Sequence, residues 1–321
     1  MDIFLAIVIL IGSFLLLIWG GDKFVDASIA LAKKLRIPPA IIGATITSIG
    51  TTLPELLVTI FAGGASAGLA VGNALGSIAF NGAFIGGILL VFTIISLKDT
   101  GKTSALMLIF SLFLTLVMSI DKTVAVWECA ILICIFVCFV VLNYLKAKQI
   151  SENNTETEQK NTKPMYWYFL QFLISAAAIG VGAYFLVDKA KFLAALIGMS
   201  ETIIGLTIVA IGTSLPELIT TINAIRKKES GLGLGNIIGS NIINCTLLMS
   251  MSGLLCGGSG LTVDFQTLVI TLPITLAISL ILLLPTLIKG ETKKWQGISL
   301  LTLYGLYYIY LILNGLGVIV I

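Results

Sequence analysis

The sequence contains no histidine. It therefore lacks the usual proton carrier near neutral pH and the commonest ligand of transition metals. Charge is also scarce: Asp, Glu, Lys and Arg make up 11% of the 321 residues, against about a quarter in a soluble domain. The net charge is +3, without the basic cluster that nucleic acid would require. The five cysteines (Cys129, Cys134, Cys138, Cys245 and Cys256) form no CxxC pair. They lie in or beside apolar stretches and read as small packing residues. No nucleotide-binding motif occurs and no nucleophile is paired with a base, which argues against an enzyme. The N-terminal stretch lacks the basic region and cleavage site of a signal peptide, so it reads as a retained first helix. Nothing calls for a cofactor or an obligatory protein partner.

What the chain has in excess is apolar residues, 58% of the total, with a mean hydropathy of +1.08. They come in runs long enough to cross a hydrocarbon layer of about 30 Å as helices. The runs predict ten spans: 3–20, 39–61, 67–96, 103–120, 124–145, 166–187, 201–224, 232–257, 265–288 and 296–319. The expected molecule is an all-α, multi-pass protein of the cell membrane, with the lipid bilayer as its solvent. The polar run from Lys146 to Pro164 divides the spans five and five and reads as a solvated linker, 146–165. It is too short for a folded regulatory domain.

The two halves, 1–145 and 166–321, are related. "GATITSIGTTLPELLVT" (Gly43–Thr59) matches "GLTIVAIGTSLPELITT" (Gly205–Thr221) at eleven of seventeen positions. "GNALGSIAFN" (Gly72–Asn81) then matches "GNIIGSNIIN" (Gly235–Asn244). The repeat motifs thus cover 43–81 and 205–244. With the N-terminus outside, sixteen of the nineteen basic residues face the cytoplasm, only Lys122, Lys189 and Lys191 lying outside. Both termini are therefore expected to be extracellular. Five spans per half make the second copy inverted, and inverted repeats place substrate sites at the midplane. The glycines Gly72/Gly76 and Gly235/Gly239 read as close helix-packing pairs.

Glu55 and Glu217 lie deep within spans two and seven, with no lysine or arginine at similar depth. A carboxylate there is costly unless it is paired, protonated or ligated, so a mobile cation is the natural partner. Pro54 and Pro216 lack an N–H and release backbone carbonyls one turn back, near Gly50/Thr51 and Gly212/Thr213. Such carbonyls are tolerated in a membrane where they line a cavity or meet a ligand. Thr51 and Glu55 share a face, with Thr52 adjacent; Thr213, Ser214 and Glu217 repeat the arrangement. Ser77 and Asn81 in the next span are four apart, as are Ser240 and Asn244. The motifs collect only oxygen and amide groups, a set suited to Ca²⁺ and, by the same hard-ion logic, Na⁺.

These paired "GTTLPE"/"GTSLPE" and "GN–GS" segments closely resemble the two alpha repeats of the cation/Ca²⁺ exchanger superfamily, and the plan is similar to a short prokaryotic sodium/calcium exchanger. The resemblance implies electrogenic Na⁺/Ca²⁺ antiport by alternating access. It implies that Glu55 and Glu217 hold Ca²⁺ with the carbonyls of Thr51 and Thr213. Sodium would sit at Thr52, Ser77 and the Ser48 carbonyl on one side, and at Ser214, Ser240 and the Ala210 carbonyl on the other. Asn81 and Asn244 would line the middle. Some relatives, including K⁺-dependent ones, carry an aspartate where this chain has Asn244; the amide argues against potassium coupling, and a K⁺-coupled exchanger of the same superfamily stays an alternative.

Two rivals stand beside that reading. Two carboxylates 4 Å apart repel by about 4 kcal/mol at an effective dielectric of 20, so a proton could compete for the site in a Ca²⁺/H⁺ exchanger. A Ca²⁺-permeable channel also uses acidic groups, but proline-broken inverted repeats favour a transporter.

Overall fold

A computed structural model describes residues 3–63, 67–96, 101–153, 163–196, 210–255 and 260–315. Among them seven helices are long and apolar enough to cross a membrane, and Pro39–Thr51 and Lys102–Met118 are shorter apolar ones. In chain order the helices are α1 (Ile3–Lys34), α2 (Pro39–Thr51), α3 (Leu53–Gly63), α4 (Ala67–Ala79, continued by Phe80–Ile85 and Gly86–Phe92), α5 (Lys102–Met118) and α6 (Val126–Asn153). They continue with α7 (Met165–Leu196), α8 (Ala210–Thr213), α9 (Leu215–Arg226), α10 (Ser230–Leu255), α11 (Thr267–Lys289) and α12 (Lys294–Gly315). Two short strands, β1 (Thr123–Val124) and β2 (Leu261–Thr262), pair antiparallel and tie the loop after α5 to the loop before α11.

Helices α4 and α10 form the centre, and their windows are the most buried of the spans. Leu75, Ile78 and Leu89 of α4 meet Ile237, Ile238 and Ile242 of α10 in one apolar cluster, which extends to Leu108 and Leu112 of α5 and Leu282 of α11. Helix α2 presses on α10 through glycine. A Cβ at Gly235 would fall on the Ala40 carbonyl, and one at Gly239 on the Ala44 carbonyl and the Ser48 hydroxyl. This pair packs as its spacing predicts. Gly72 does not, since no described residue lies within 4 Å of a Cβ built there.

Helices α1 and α7 stand apart from that core. Leu17, Phe24, Ala27 and Leu31 of α1 pack with Phe172 and Ile179 of α7 in a second apolar cluster. The Phe24 and Phe172 ring centroids are 4.5 Å apart. Large apolar side chains such as Phe4, Leu15, Trp19, Trp127, Tyr166 and Ile309 cover the outer helices and remain exposed. That is the surface a hydrocarbon solvent selects.

Several boundaries differ from the sequence expectation. The first span, expected to end at residue 20, continues as helix to Lys34. Its charges are accommodated at the surface, where Asp22 and Asp26 pair with Lys227. The expected linker begins as helix, because α6 runs on through Lys146–Asn153, where Lys, Ala and Gln are good helix formers. Cys134 and Cys138 are exposed rather than packed, while Cys129 and Cys245 are buried. Cys256 and the start of the seventh span, 201–209, lie outside the described residues.

Candidate functional site

The two "LPE" segments each break a helix in the same way. Helix α2 ends at Thr51 and α3 begins at Leu53, with Thr52 between them at φ −84° and ψ 1°. Helix α8 ends at Thr213 and α9 begins at Leu215, with Ser214 at φ −92° and ψ 7°. Pro54 and Pro216 fall in the first turn of the new helix, where a missing N–H leaves no hydrogen bond unmade. The expected kink is therefore a clean break. Glu55 and Glu217 also fall in these first turns, where the positive end of the helix favours a carboxylate. The carbonyl ends of α2 and α8 face the opposite way, and such ends favour cations.

Both glutamates are fully buried at 0% exposure. Each is held by a hydroxyl from the other half of the chain. Thr52 Oγ1, Ser240 Oγ and Glu217 Oε1 form a triangle with edges of 2.9, 3.1 and 3.1 Å. Ser214 Oγ lies 3.1 Å from Glu55 Oε1 and 3.0 Å from Ser77 Oγ. The triangle has three short oxygen–oxygen edges but only two hydroxyl protons when the carboxylate is ionised. An oxygen cluster short of protons is chemically suited to a cation.

The remaining oxygens are open. Oε2 of Glu55 and Oε2 of Glu217 have no hydrogen-bond partner, and neither polar atom of the Asn81 or Asn244 side chain has one. All four residues are fully buried. Asn81 lies in, and Asn244 opens, a widened helical turn (Phe80–Ile85 and Asn244–Leu248), a distortion frequent at functional sites. Orphaned buried polar groups are unfavourable unless a ligand or water meets them.

The resemblance groups Thr52 with Ser77 and Ser214 with Ser240 as sodium ligands. The hydroxyl contacts run crosswise to that grouping. Thr52 pairs with Ser240, and Ser214 pairs with Ser77, because the broken helix of each half lies against the "GN–GS" helix of the other. The Ser48 carbonyl already accepts the Thr52 N–H at 2.9 Å and the Thr51 hydroxyl at 3.3 Å. A cation there would compete with the Thr51 hydroxyl. Ala210 is the first residue of α8.

Two further residues join the site. Asn73 Oδ1 accepts the Thr213 hydroxyl at 3.2 Å, and Asn236 Oδ1 accepts the Thr51 hydroxyl at 3.1 Å. Asn73 also donates to the Glu55 carbonyl at 3.4 Å. These amides brace the two breaks from the opposite half. Their sequence signal is the asparagine repeated after Gly72 and Gly235 in the two motifs.

The sequence profile of the sodium/calcium exchanger protein family matches residues 5–145 and 167–313. Sodium/calcium exchanger MaX1 of Methanosarcina acetivorans is 31% identical over 92% of this chain and 95% of its own length. An uncharacterized membrane protein of Methanocaldococcus jannaschii is 33% identical over 90% of this chain and 92% of its own. The solved structure of the sodium-calcium exchanger NCX_Mj, soaked with Na⁺ and Sr²⁺, superposes with a TM-score of 0.84 at 28% identity. It covers 96% of this chain and 99% of that one.

Proposed function

Because the chain belongs to the sodium/calcium exchanger protein family, we propose that it exchanges Na⁺ for Ca²⁺ across the cell membrane by alternating access, with net movement of charge. The family is one of membrane transporters, and the apolar helices are those of a multi-pass membrane protein. In this reading the Glu55 and Glu217 carboxylates take Ca²⁺, helped by the carbonyls of Thr51 and Thr213. One Ca²⁺ then neutralises both carboxylates. Sodium takes the oxygen groups at Thr52, Ser240 and Glu217 on one side and Ser214, Ser77 and Glu55 on the other, with the Ser48 and Ala210 carbonyls beside them. Asn81 and Asn244 lie between. Several Na⁺ ions can share the two carboxylates and the neutral oxygens around them, so the two loads need not carry equal charge.

The observation that carries this reading is the pair of buried carboxylates whose outer oxygens meet no cationic side chain or hydrogen-bond donor among the described residues. The proposed arrangement is ten spans in two inverted five-helix repeats, 1–145 and 166–321, joined on the cytoplasmic side with both termini outside. Its support is the repeated break at Thr52 and Ser214 and the reciprocal hydroxyl contacts. The same orphaned oxygens also favour a second reading, in which a proton replaces the cation and coupling is to H⁺. Measuring ⁴⁵Ca²⁺ uptake into proteoliposomes under imposed Na⁺, K⁺ or H⁺ gradients separates them. Uptake that follows only the Na⁺ gradient supports the exchange proposed; uptake that ignores Na⁺ and follows pH replaces it.

A further inference from the structure

Between the matched segments Gly72–Asn81 and Gly235–Asn244, one aligned pair differs in polarity. The first half places Ile78 after Ser77, and the second places Asn241 after Ser240. Asn241 is fully buried on α10. Its Nδ2 donates to the carbonyl of Ile78 on α4 at 3.4 Å, and its Oδ1 has no hydrogen-bond partner. A Cβ at Gly82, one turn beyond Ile78 and inside the widened turn Phe80–Ile85, would lie 3.4 Å from the same Nδ2. Asn241 therefore touches its own counterpart in the other half. Where two related halves interlock, such a contact marks the point at which the two copies of one helix cross.

Stability does not account for an asparagine at this crossing. Its neighbours Ile237, Ile238 and Ile242 belong with Leu75 and Ile78 to the main apolar cluster. A buried amide with an open oxygen costs free energy there that an apolar side chain would not, and isoleucine is what the first half uses. The place of the contact does account for it. Ile78 follows Ser77, which meets Ser214, and Asn241 follows Ser240, which meets Thr52. Asn81 and Asn244 stand three residues further along each helix. One bond from the α10 side chain to the α4 backbone thus fixes how the two helices lie against each other, midway between the two oxygen sets.

We propose that Asn241 is a positioning residue for cation binding. By holding the Ile78 carbonyl it sets α4 against α10, and with them the spacing between Ser77 and Asn81 on one helix and Ser240 and Asn244 on the other. This role rests on the cation-exchange reading above. Both oxygen sets depend on the one contact, so its loss weakens Na⁺ and Ca²⁺ together. Removing a single hydroxyl, at Ser77 or Ser240, acts on Na⁺ more than on Ca²⁺.

Variants of the full-length protein test the role. Asn241→Ile gives the second half the residue of the first. The half-activating Na⁺ concentration and the ⁴⁵Ca²⁺ dissociation constant should rise together by roughly 2- to 10-fold, the scale of one hydrogen bond. The thermal unfolding midpoint in detergent should stay at or above the wild-type value, a split that a packing role would not produce. Adding Ile78→Asn returns an amide to the crossing from the opposite helix, and should bring both constants back to within about twofold of wild type. Asn241→Leu, closer to asparagine in shape, should repeat the joint shift, and it decides the question alone if the exchanged pair does not insert. Wild-type constants in the single variants, a shift confined to one ion, losses that follow a lowered midpoint, or an inserted exchanged pair no better than Asn241→Ile would each overturn the role. Those outcomes leave the exchange reading intact as long as the wild type binds ⁴⁵Ca²⁺. A wild type that binds none sinks that reading, and the role of Asn241 with it.

Discussion

Thr52 Oγ1 lies 3.1 Å from the Glu217 carboxylate, although 165 residues separate them in the chain. Ser214 meets Glu55 at the same distance across 159 residues. Each half of the protein therefore completes the oxygen set of the other. Neither half holds the arrangement alone.

The carboxylates give the first expected outcome. Glu55→Gln or Glu217→Gln exchanges a hard anionic ligand for a neutral amide and leaves the site a single carboxylate, that of the other glutamate. Ca²⁺ affinity should fall about tenfold or more, since contacts to charged groups are worth about 1.5–3 kcal/mol each. ⁴⁵Ca²⁺ binding to purified, correctly inserted protein is the check. Wild-type affinity in either variant would remove that residue from the site.

Sodium dependence should report the crossed pairing of hydroxyls. Ser77→Ala and Ser240→Ala should each move the Na⁺ activation curve to higher concentration by about 1 kcal/mol, with Ca²⁺ binding less affected. In a double-mutant cycle, Thr52→Val with Ser240→Ala should couple by about 0.5–1.5 kcal/mol. Thr52→Val with Ser77→Ala should be closer to additive. The reverse order would restore the grouping that the family resemblance implies.

The bracing amides make a third case. Asn73→Leu removes the acceptor at 3.2 Å from the Thr213 hydroxyl and the donor to the Glu55 carbonyl, and Asn236→Leu leaves the Thr51 hydroxyl its longer bond to the Ser48 carbonyl. Each lost hydrogen bond costs about 0.5–1.5 kcal/mol. Either change should weaken Ca²⁺ binding while Glu55 and Glu217 remain in place. Thr213→Val combined with Asn73→Leu should lose little more than Asn73→Leu alone. A fully additive pair in Ca²⁺ titrations would argue that the two residues act separately.

Orientation can be read by labelling. In a background without native cysteines, a cysteine at Ser66 should react with an impermeant reagent from outside and one at Ser230 only from inside. Ser66 lies outside the described residues, and Ser230 begins α10. Reaction of both from one face would contradict the inverted arrangement.

Packing supplies the last test. Gly235→Ala places a methyl group on the Ala40 carbonyl, a backbone atom that moves only with its helix. Thermal unfolding in detergent should show a loss of about 1–3 kcal/mol. Gly12→Ala, with nothing within 4 Å of the new Cβ, should leave the midpoint unchanged. Equal behaviour of the two would mean that the α2–α10 approach is not set by glycine.

Much of this molecule is determined locally and so is legible in the sequence. Apolar runs specify helices in a bilayer, because backbone polar groups there must be satisfied within the segment. A proline followed by a glutamate, written twice in matching apolar surroundings, marks both the helix breaks and the buried acids. Contacts between segments distant in the chain leave no such mark. Nothing in the order of residues shows that Thr52 joins Ser240 instead of Ser77, or that Asn73 braces Thr213. Those pairings arise when the two halves interlock, and only the tertiary packing of α2, α4, α9 and α10 sets them. The extension of α1 to Lys34 has the same origin. Its charged turn looks like a loop until Lys227, from the other half of the chain, pairs with Asp22 and Asp26.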